Sequence, residues 1–494
     1  MRRTSLDKLI HASLVVLVCL PVLAMRNAAA ASPEKKQPAA VARLDNDGML
    51  IAAGRRTFVF GCYWNPATSQ GLEQLHRAGF NLVSSKADRR ALDDIARAGL
   101  LAWVPLGEQI ASSSGAEEKA LETTVAPLLD HPALVTWEVP DEALWNEWYL
   151  RQEPLEAERA KLREVLRERE KTDADVSRVR ALMAEEALLR ARADFATAEA
   201  RDREIRKLLG APEQNPSIQF SAAAQSAEQH RQRLLRGYRA MRRLDGRPVW
   251  MNFAPRNTLD DMNRYAEAAD IVGCDIYPVP VTPTQGHSDL VNRQLSCVGD
   301  YTERFRAAGG KRAVWMVLQG FGWRDLNKPP ADAPKDTGRR PTRAESRFML
   351  YDAIVHRARG VLYWGCNYAQ EPPDFWKELC SVVREAANLG EVWAARDAAE
   401  QPTVSCAPTW GSLDRPPVAL AKRHDGKTYV LVVNEHLDGL AVRLSGLGVS
   451  DGAKISLVGD PGGSALAADQ VAQSSLTVHM PAQGIAIIAV EQAK

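Results

Sequence analysis

The sequence predicts an α/β protein: a (β/α)8 TIM barrel with a long charged helical insertion after its fourth strand, followed by a C-terminal antiparallel β-sandwich. Three observations carry this expectation. From Phe58 onward, eight short apolar runs alternate with amphipathic segments whose apolar residues recur at three- and four-residue spacing. After the fourth run the alternation stops, and the chain from about residue 146 to 216 becomes strongly charged. Near Asp397 the pattern changes again, to alternating apolar and polar residues punctuated by DG, NE, GG and PAQG turns. The expected organisation is a signal peptide over 1–31, a linker over 32–49, the barrel over 50–396 and the sandwich over 397–494.

The N-terminus reads MRRTSLDK, then an apolar run from Leu9 to Ala24, then AMRNAAAAS: a basic region, an apolar region and small residues suited to a signal peptidase. The run is shorter than the roughly 20 apolar residues of a spanning helix, and Pro21 interrupts it. Val18 before Cys19 argues against a lipoprotein signal. The expectation is an exported protein, periplasmic or extracellular, with no membrane insertion once the signal is cleaved.

The barrel strands are read as FVFGCYW (58–64), NLVSS (81–85), LAWVPLGE (101–108), ALVTWEV (133–139), PVWMNFAP (248–255), DIVGCDIYP (270–278), AVWMVLQGF (313–321) and GVLYWGCNY (360–368). Helix patterns such as GLEQLHRAGF, DRRALDDIARAGL and LDDMNRYAEAA lie between them. A doubly wound open sheet is the competing architecture, but CYWNPATSQG after the first strand has no glycine-rich phosphate turn. The insertion, of mixed charge with intermittent leucine and valine, predicts one long helix or a helical hairpin of coiled-coil character. It is a candidate lid or surface for a protein partner, or a solvated insertion.

Lys and Arg total 63 against 62 Asp and Glu, a net charge of +1, so there is no electrostatic case for nucleic acid. The seven cysteines follow no metal-ligand spacing; most are expected as buried thiols, with no particular pairing. Nine scattered histidines give little support to a metal site or a Ser-His-Asp triad.

In a parallel barrel, candidate site residues lie at the C-terminal ends of the strands. Period-two reading of strand four puts Val135, Trp137 and Val139 outward, and Thr136, Glu138 and Glu142 inward. In strand six, Cys274 and Ile276 face out while Gly273, Asp275 and Tyr277 face in. The other ends offer Tyr63, Trp64 and Asn65, then Glu108, Gln319, and Tyr363, Trp364 and Asn367. Carboxylates, amides and indoles around one mouth suit sugar hydrolysis, in which one carboxyl protonates the leaving oxygen and a second attacks or activates water. Asp141, Glu142 and Asp275 are the candidate catalytic groups. Trp64, Asn65, Glu108, Tyr277, Gln319 and Trp364 are the candidate substrate contacts, with a carbohydrate as partner and no cofactor implied. Strands four and six are not neighbours, so Glu142 and Asp275 are expected farther apart than the roughly 5 Å of a retaining pair. Structural readings stand beside these. Asp141 could be a helix N-cap with Glu142 in the first turn, Asp275 could bond loop amides, and Glu138 could serve an internal Arg or amide.

The run HPALVTWEVPDEA resembles the strand-four segment of (β/α)8 glycoside hydrolases, where a similar lead ends in an Asp-Glu or Asn-Glu pair. ADIVGCDIYPVP, KRAVWMVLQGFGW, GVLYWGCNY and the helix DFWKELCSVVREAANL resemble the segments that follow there, over about residues 50 to 490 without the insertion. The resemblance implies Glu142 as acid/base. It departs at strand seven, where the large retaining clan has a Glu nucleophile and this chain has Gln319. Three readings stay open. Asp275 serves as the second carboxyl; Asp141 and Glu142 act as a pair on a 2-acetamido sugar that supplies its own nucleophile; or the barrel is a non-catalytic glycan binder or protein-interaction scaffold.

Overall fold

The computed structural model describes residues 42–172, 175–214, 219–281, 290–408, 411–449, 452–460, 462–466 and 475–492. The expected signal peptide and the start of the expected linker lie outside them. Among the described residues no helix is long and apolar enough to cross a membrane.

Three short antiparallel strands, β1 (Arg43–Leu44), β2 (Leu50–Ala52) and β3 (Arg55–Thr57), come first. Residues 42–49 are therefore structured rather than plain linker: Ala42, Leu50 and Ala52 pack with the side chains that fill the barrel. The barrel follows as β4 (Val59–Cys62), β5 (Leu82–Ser84), β6 (Leu101–Pro105), β7 (Leu134–Glu138), β8 (Val249–Phe253), β9 (Ile271–Ile276), β10 (Ala313–Gln319) and β11 (Gly360–Trp364). All pairings are parallel, and β11 closes on β4. Each strand lies within one of the eight runs read from the sequence, because residues buried on both faces of a parallel strand leave a near-continuous apolar signature. The interior is filled largely by indoles: Trp103, Trp250 and Trp315 are fully buried there.

Strand β7 departs from simple alternation. Its register against β6 shifts between Ala102 and Trp103, so that Ala102 faces Leu134 and Trp103 faces Thr136. The extra residue turns Val135 into the barrel, contrary to the outward placement expected, while Trp137 and Val139 join the outer core and Glu138 faces in.

The insertion forms three helices rather than one or two: Leu150–Glu170, Ser177–Ala191 and Phe195–Leu209. Leu162, Leu166, Val179, Leu182, Ile205 and Leu209 make its own small core. Its charges pair between helices, as in Arg206 with Glu158 at 2.8 Å and Arg190 with Glu156 at 2.8 Å. The chain turns at Ala193 (φ 57°), and Asp194 caps the last helix by accepting from the Thr197 amide.

Beyond the barrel, β12 (Thr403–Pro408), β13 (Val418–His424), β14 (Lys427–Val433), β15 (Leu440–Ser445), β16 (Lys454–Leu457), β17 (Ala465–Leu466), β18 (Ser475–Met480) and β19 (Ile485–Glu491) form two four-stranded antiparallel sheets. One is ordered β12-β15-β18-β17 and the other β13-β14-β19-β16. Leu420, Leu431, Val433, Ile485 and Ile487 of the second sheet belong to the same core as the barrel's outer face. Ion pairs rim this joint: Asp397 meets Lys422 at 2.9 Å and Arg357 at 3.1 Å, and Glu385 meets Arg347 at 2.8 Å. Cys62, Cys274, Cys297, Cys366 and Cys380 are buried free thiols, and Cys406 is a half-buried one.

Candidate active site at the barrel mouth

The segment Val139–Leu144 carries the chain from β7 toward the insertion. Glu142 sits there with φ 49°, in the left-handed region that a non-glycine residue enters at a cost of order 1–3 kcal/mol. Its amide donates to the Asn252 carbonyl at 3.2 Å, tying this turn to the end of β8. Helical structure begins at Ala143, directly after Glu142, whose carbonyl accepts from the Asn146 amide at 3.0 Å. Asp141 is therefore not the N-cap, and its carboxylate is engaged elsewhere.

That engagement is with Asn252. Its Nδ2 donates to Asp141 Oδ1 at 2.8 Å and to Asp275 Oδ1 at 2.6 Å. The two oxygens can be no farther apart than the sum of those bonds, close to the roughly 5 Å separation of a retaining carboxyl pair. The close pair that the donor brings together is Asp141 with Asp275. Asp275 is 8 % exposed and also bonds the Tyr277 hydroxyl. Asp141 is open to solvent at the mouth and Glu142 is half-buried.

No described Lys, Arg or His pairs with these groups, and their acidities show it. Burial, then the Asp141 and Glu142 charges, pushes the Asp275 carboxyl well above the usual range, against the Asn252 and Tyr277 hydrogen bonds. Protein packed around the Asp141 carboxyl raises it as well, opposed by Asn252, although the residue reaches solvent. Burial and then the Asp141 charge bring Glu142 up to about 7. Below them Glu138, 2 % exposed, accepts from the Tyr63 hydroxyl at 3.0 Å and the Trp103 indole at 2.9 Å. Burial, then Asp141, raises it to about 8. Its expected structural role has these partners in place of an internal Arg or amide.

Aromatic side chains line one side. Tyr277 stacks on Trp364 with centroids 6.0 Å apart and planes at 24°, and meets Phe321 edge-on at 5.1 Å. Trp364 continues to the exposed Tyr368 at 5.9 Å. Arg340 pins this wall, pairing with Asp325 at 2.8 Å and donating to the Tyr368 and Glu371 carbonyls at 2.8 Å each. Asn65 donates to the Ser84 carbonyl at 2.8 Å and, with Tyr63, Ser85 and Lys86, lines an adjoining cavity of about 540 Å³.

Three expected substrate contacts are placed otherwise. Trp64 packs edge-on against Trp376 at 5.7 Å, with the outer core. Gln319 is fully buried; its Oε1 accepts from the Val279 amide at 3.0 Å and its Nε2 donates to the Val279 and Phe321 carbonyls at 2.8 and 3.1 Å. It clamps the loop after β9, a task for an amide with both donor and acceptor that a carboxylate could not perform. Glu108 faces His230 at 3.3 Å, and that bond draws its pKa down.

Asn252 is the residue that the sequence reading did not place in the site; Tyr63 was named at the end of strand one but given no role. Asn252 ends β8 with an inward-facing amide, and the run PVWMNFAP carried that signal: a polar residue near the end of an otherwise apolar barrel strand.

No family model matches the chain, and no curated protein sequence does. Among solved structures it is similar to the β-galactosidase of the psychrophilic Marinomonas ef1, at 17% identity over 67% of this chain and 60% of that one, with a TM-score of 0.41. The chain thus spans less than two thirds of that enzyme. It is also similar to a family 42 β-galactosidase of G. stearothermophilus, at 9% identity over 88% and 98% of the two chains, with a TM-score of 0.47. A family 30 endoxylanase from Clostridium papyrosolvens C71 matches at 10% identity over 92% and 100%, with a TM-score of 0.41. These three structures are of glycoside hydrolases.

Proposed function

We propose that the protein is a glycoside hydrolase acting on an oligo- or polysaccharide, with Glu142 as proton donor and Asp275 as the second carboxylate. The observation that carries this reading is the bridge from Asn252 to Asp141 and Asp275 beside Glu142. It gathers carboxylates that no cation among the described residues neutralises, and a structural role would call for a counter-charge. At pH below about 7 Glu142 keeps its proton and can give it to a leaving oxygen. Asp275, oriented by Asn252 and Tyr277, faces the developing positive charge with Asp141 sharing the same donor. Trp364 and Tyr368 offer faces for the apolar side of a sugar ring.

The test is a screen of aryl glycosides and polysaccharides with wild type, Glu142→Gln and Asp275→Asn. Cleavage by wild type and its loss in both variants, with the fold kept, is the expected result. Activity indifferent to Glu142→Gln would sink the assignment. The second reading, a glycan-binding barrel without catalysis, is favoured by the depth of Asp275; binding without cleavage in wild type would establish it. Export, to the periplasm or beyond, is proposed from the N-terminal sequence and is tested by fractionating cells that produce the full chain.

A further inference from the structure

A second cluster of titratable groups lies at the joint between barrel and sandwich, on elements that the mouth does not use. Asp352 and His356 sit one turn apart at the end of helix Arg343–Val355, on one face. Glu435 comes from the segment after β14. One ligand atom from each of the three residues lies within 4.8 Å of the others, and His356 Nε2 is 4.0 Å from Asp352 Oδ1 and 2.7 Å from Glu435 Oε1. We propose that these three atoms form a binding site for one first-row divalent cation of the zinc class, joining the barrel helix to the sandwich.

Each group turns one atom inward while the protein holds the other. Asp352 Oδ2 accepts from the Gly299 amide at 2.7 Å, and Glu435 Oε2 accepts from Arg415 at 2.7 Å. His356 Nδ1 lies 3.2 Å from Glu303 Oε1, the carboxylate contact that fixes a metal-bound imidazole in its tautomer and ring orientation. The independent observation is Asp352 itself. It has no solvent exposure, and its Oδ1 has no hydrogen-bond partner, a costly state for a buried anion. The backbone makes room for this arrangement. A Cβ on Gly299 would lie 2.5 Å from His356 Cδ2 and 2.6 Å from Nε2, so any side chain there would displace the ring.

Charge points the same way. Once His356 has given up its Nε2 proton, Asp352, Glu435, Glu303 and Asp300 face two guanidiniums, Arg415 and Arg306, which leaves two negative charges for a divalent ion. One imidazole nitrogen and two carboxylate oxygens suit zinc, with water in a fourth position. Calcium takes 6–8 oxygens and has too few donors here. The competing occupant is a proton on His356 Nε2, shared with Glu435 Oε1 at 2.7 Å. When the cation binds, that proton leaves to solvent and the nitrogen lone pair goes to the metal.

The experiment uses the full chain stripped with a chelator and dialysed. Elemental analysis after zinc is returned should find one zinc per chain, and calorimetry should show proton release on binding. Thermal unfolding should move upward with zinc and return with excess chelator, while magnesium and calcium leave it in place. Asp352→Asn should abolish the zinc-dependent shift. Glu303→Gln, outside the ligand set, should weaken zinc binding about 10–100-fold without abolishing it. Wild type that takes up no stoichiometric zinc, or an Asp352→Asn protein that responds to zinc as wild type does, overturns the proposal and leaves a proton-bridged ion-pair cluster. If Asp352→Asn does not fold, wild-type stoichiometry and Glu303→Gln still decide.

Discussion

The barrel mouth and the barrel–sandwich joint are built from the same residue types and treat them in opposite ways. At the joint, Asp397 is half-buried, yet the Lys422 and Arg359 charges and the Lys422 and Arg357 hydrogen bonds overcome that burial and hold it at about 2. At the mouth, Glu138, Asp141 and Asp275 take hydrogen bonds from Tyr, Trp and Asn, no described cation pairs with them or with Glu142, and all four are pushed upward. A buried carboxylate that is paired contributes to the fold, whereas one left unpaired costs stability and is poised to exchange a proton. Asp352 is the joint's exception, raised well above its usual range by burial and then by Glu435, and it is the group to which the cation is assigned.

The largest effect that separates the two regions falls on activity. Glu142→Gln should lower kcat by about 10²–10⁴-fold, the usual worth of a general acid, with the unfolding temperature kept or raised. Asp397→Asn should do the reverse. It leaves Lys422, 2 % exposed, without its charge partner, at a cost of about 3 kcal/mol read from chemical denaturation, with kcat unchanged. Equal loss of stability in both variants would erase the distinction between the regions.

The pH dependence sharpens it. Asp397 is lowered on folding, so its stabilisation is present above its unfolded value of 3.8 and is lost as pH falls toward about 2. Glu138 is raised, so stability is full below 4.5 and is lost as pH rises through about 8. At pH 7 that loss is about 3 kcal/mol. Glu138→Gln removes it but offers only one acceptor oxygen to Tyr63 and Trp103, giving back about 1 kcal/mol. The variant should therefore be about 2 kcal/mol more stable than wild type at pH 7 and slightly less stable at pH 4. Denaturation curves that stay parallel across that range would refute the raised acidity of Glu138.

The barrel was legible because strands buried on both faces write continuous apolar runs. The sandwich was legible because half-buried antiparallel strands write alternation. Val135 was misplaced because a register shift is a property of the pairing between β6 and β7, and neither strand's own pattern contains it. The insertion's third helix was missed for a similar reason: its charges pair between helices, so little apolar periodicity marks its faces. Within the site, Asp141, Glu142, Asp275 and Tyr277 were found from strand ends alone. Asn252 was passed over because an amide has no charge or rarity to mark it, and its importance lies in two partners 111 and 23 residues away.

The smallest predicted effect tests whether the mouth carboxylates hold one another up. With no cation nearby among the described residues, burial and then the Asp141 charge raise Glu142. Removing that charge with Asp141→Asn should lower the Glu142 pKa from about 7. Catalysis requires Glu142 with its proton, so in wild type kcat/KM should fall as pH rises through about 7, and in Asp141→Asn that fall should begin at lower pH. The sign separates the two regions, since neutralising a carboxylate at the joint strips a cation of its partner, while neutralising one at the mouth relieves a like charge. A basic limb that stays in place, or moves to higher pH, would mean that a charge other than Asp141 sets the acidity of Glu142.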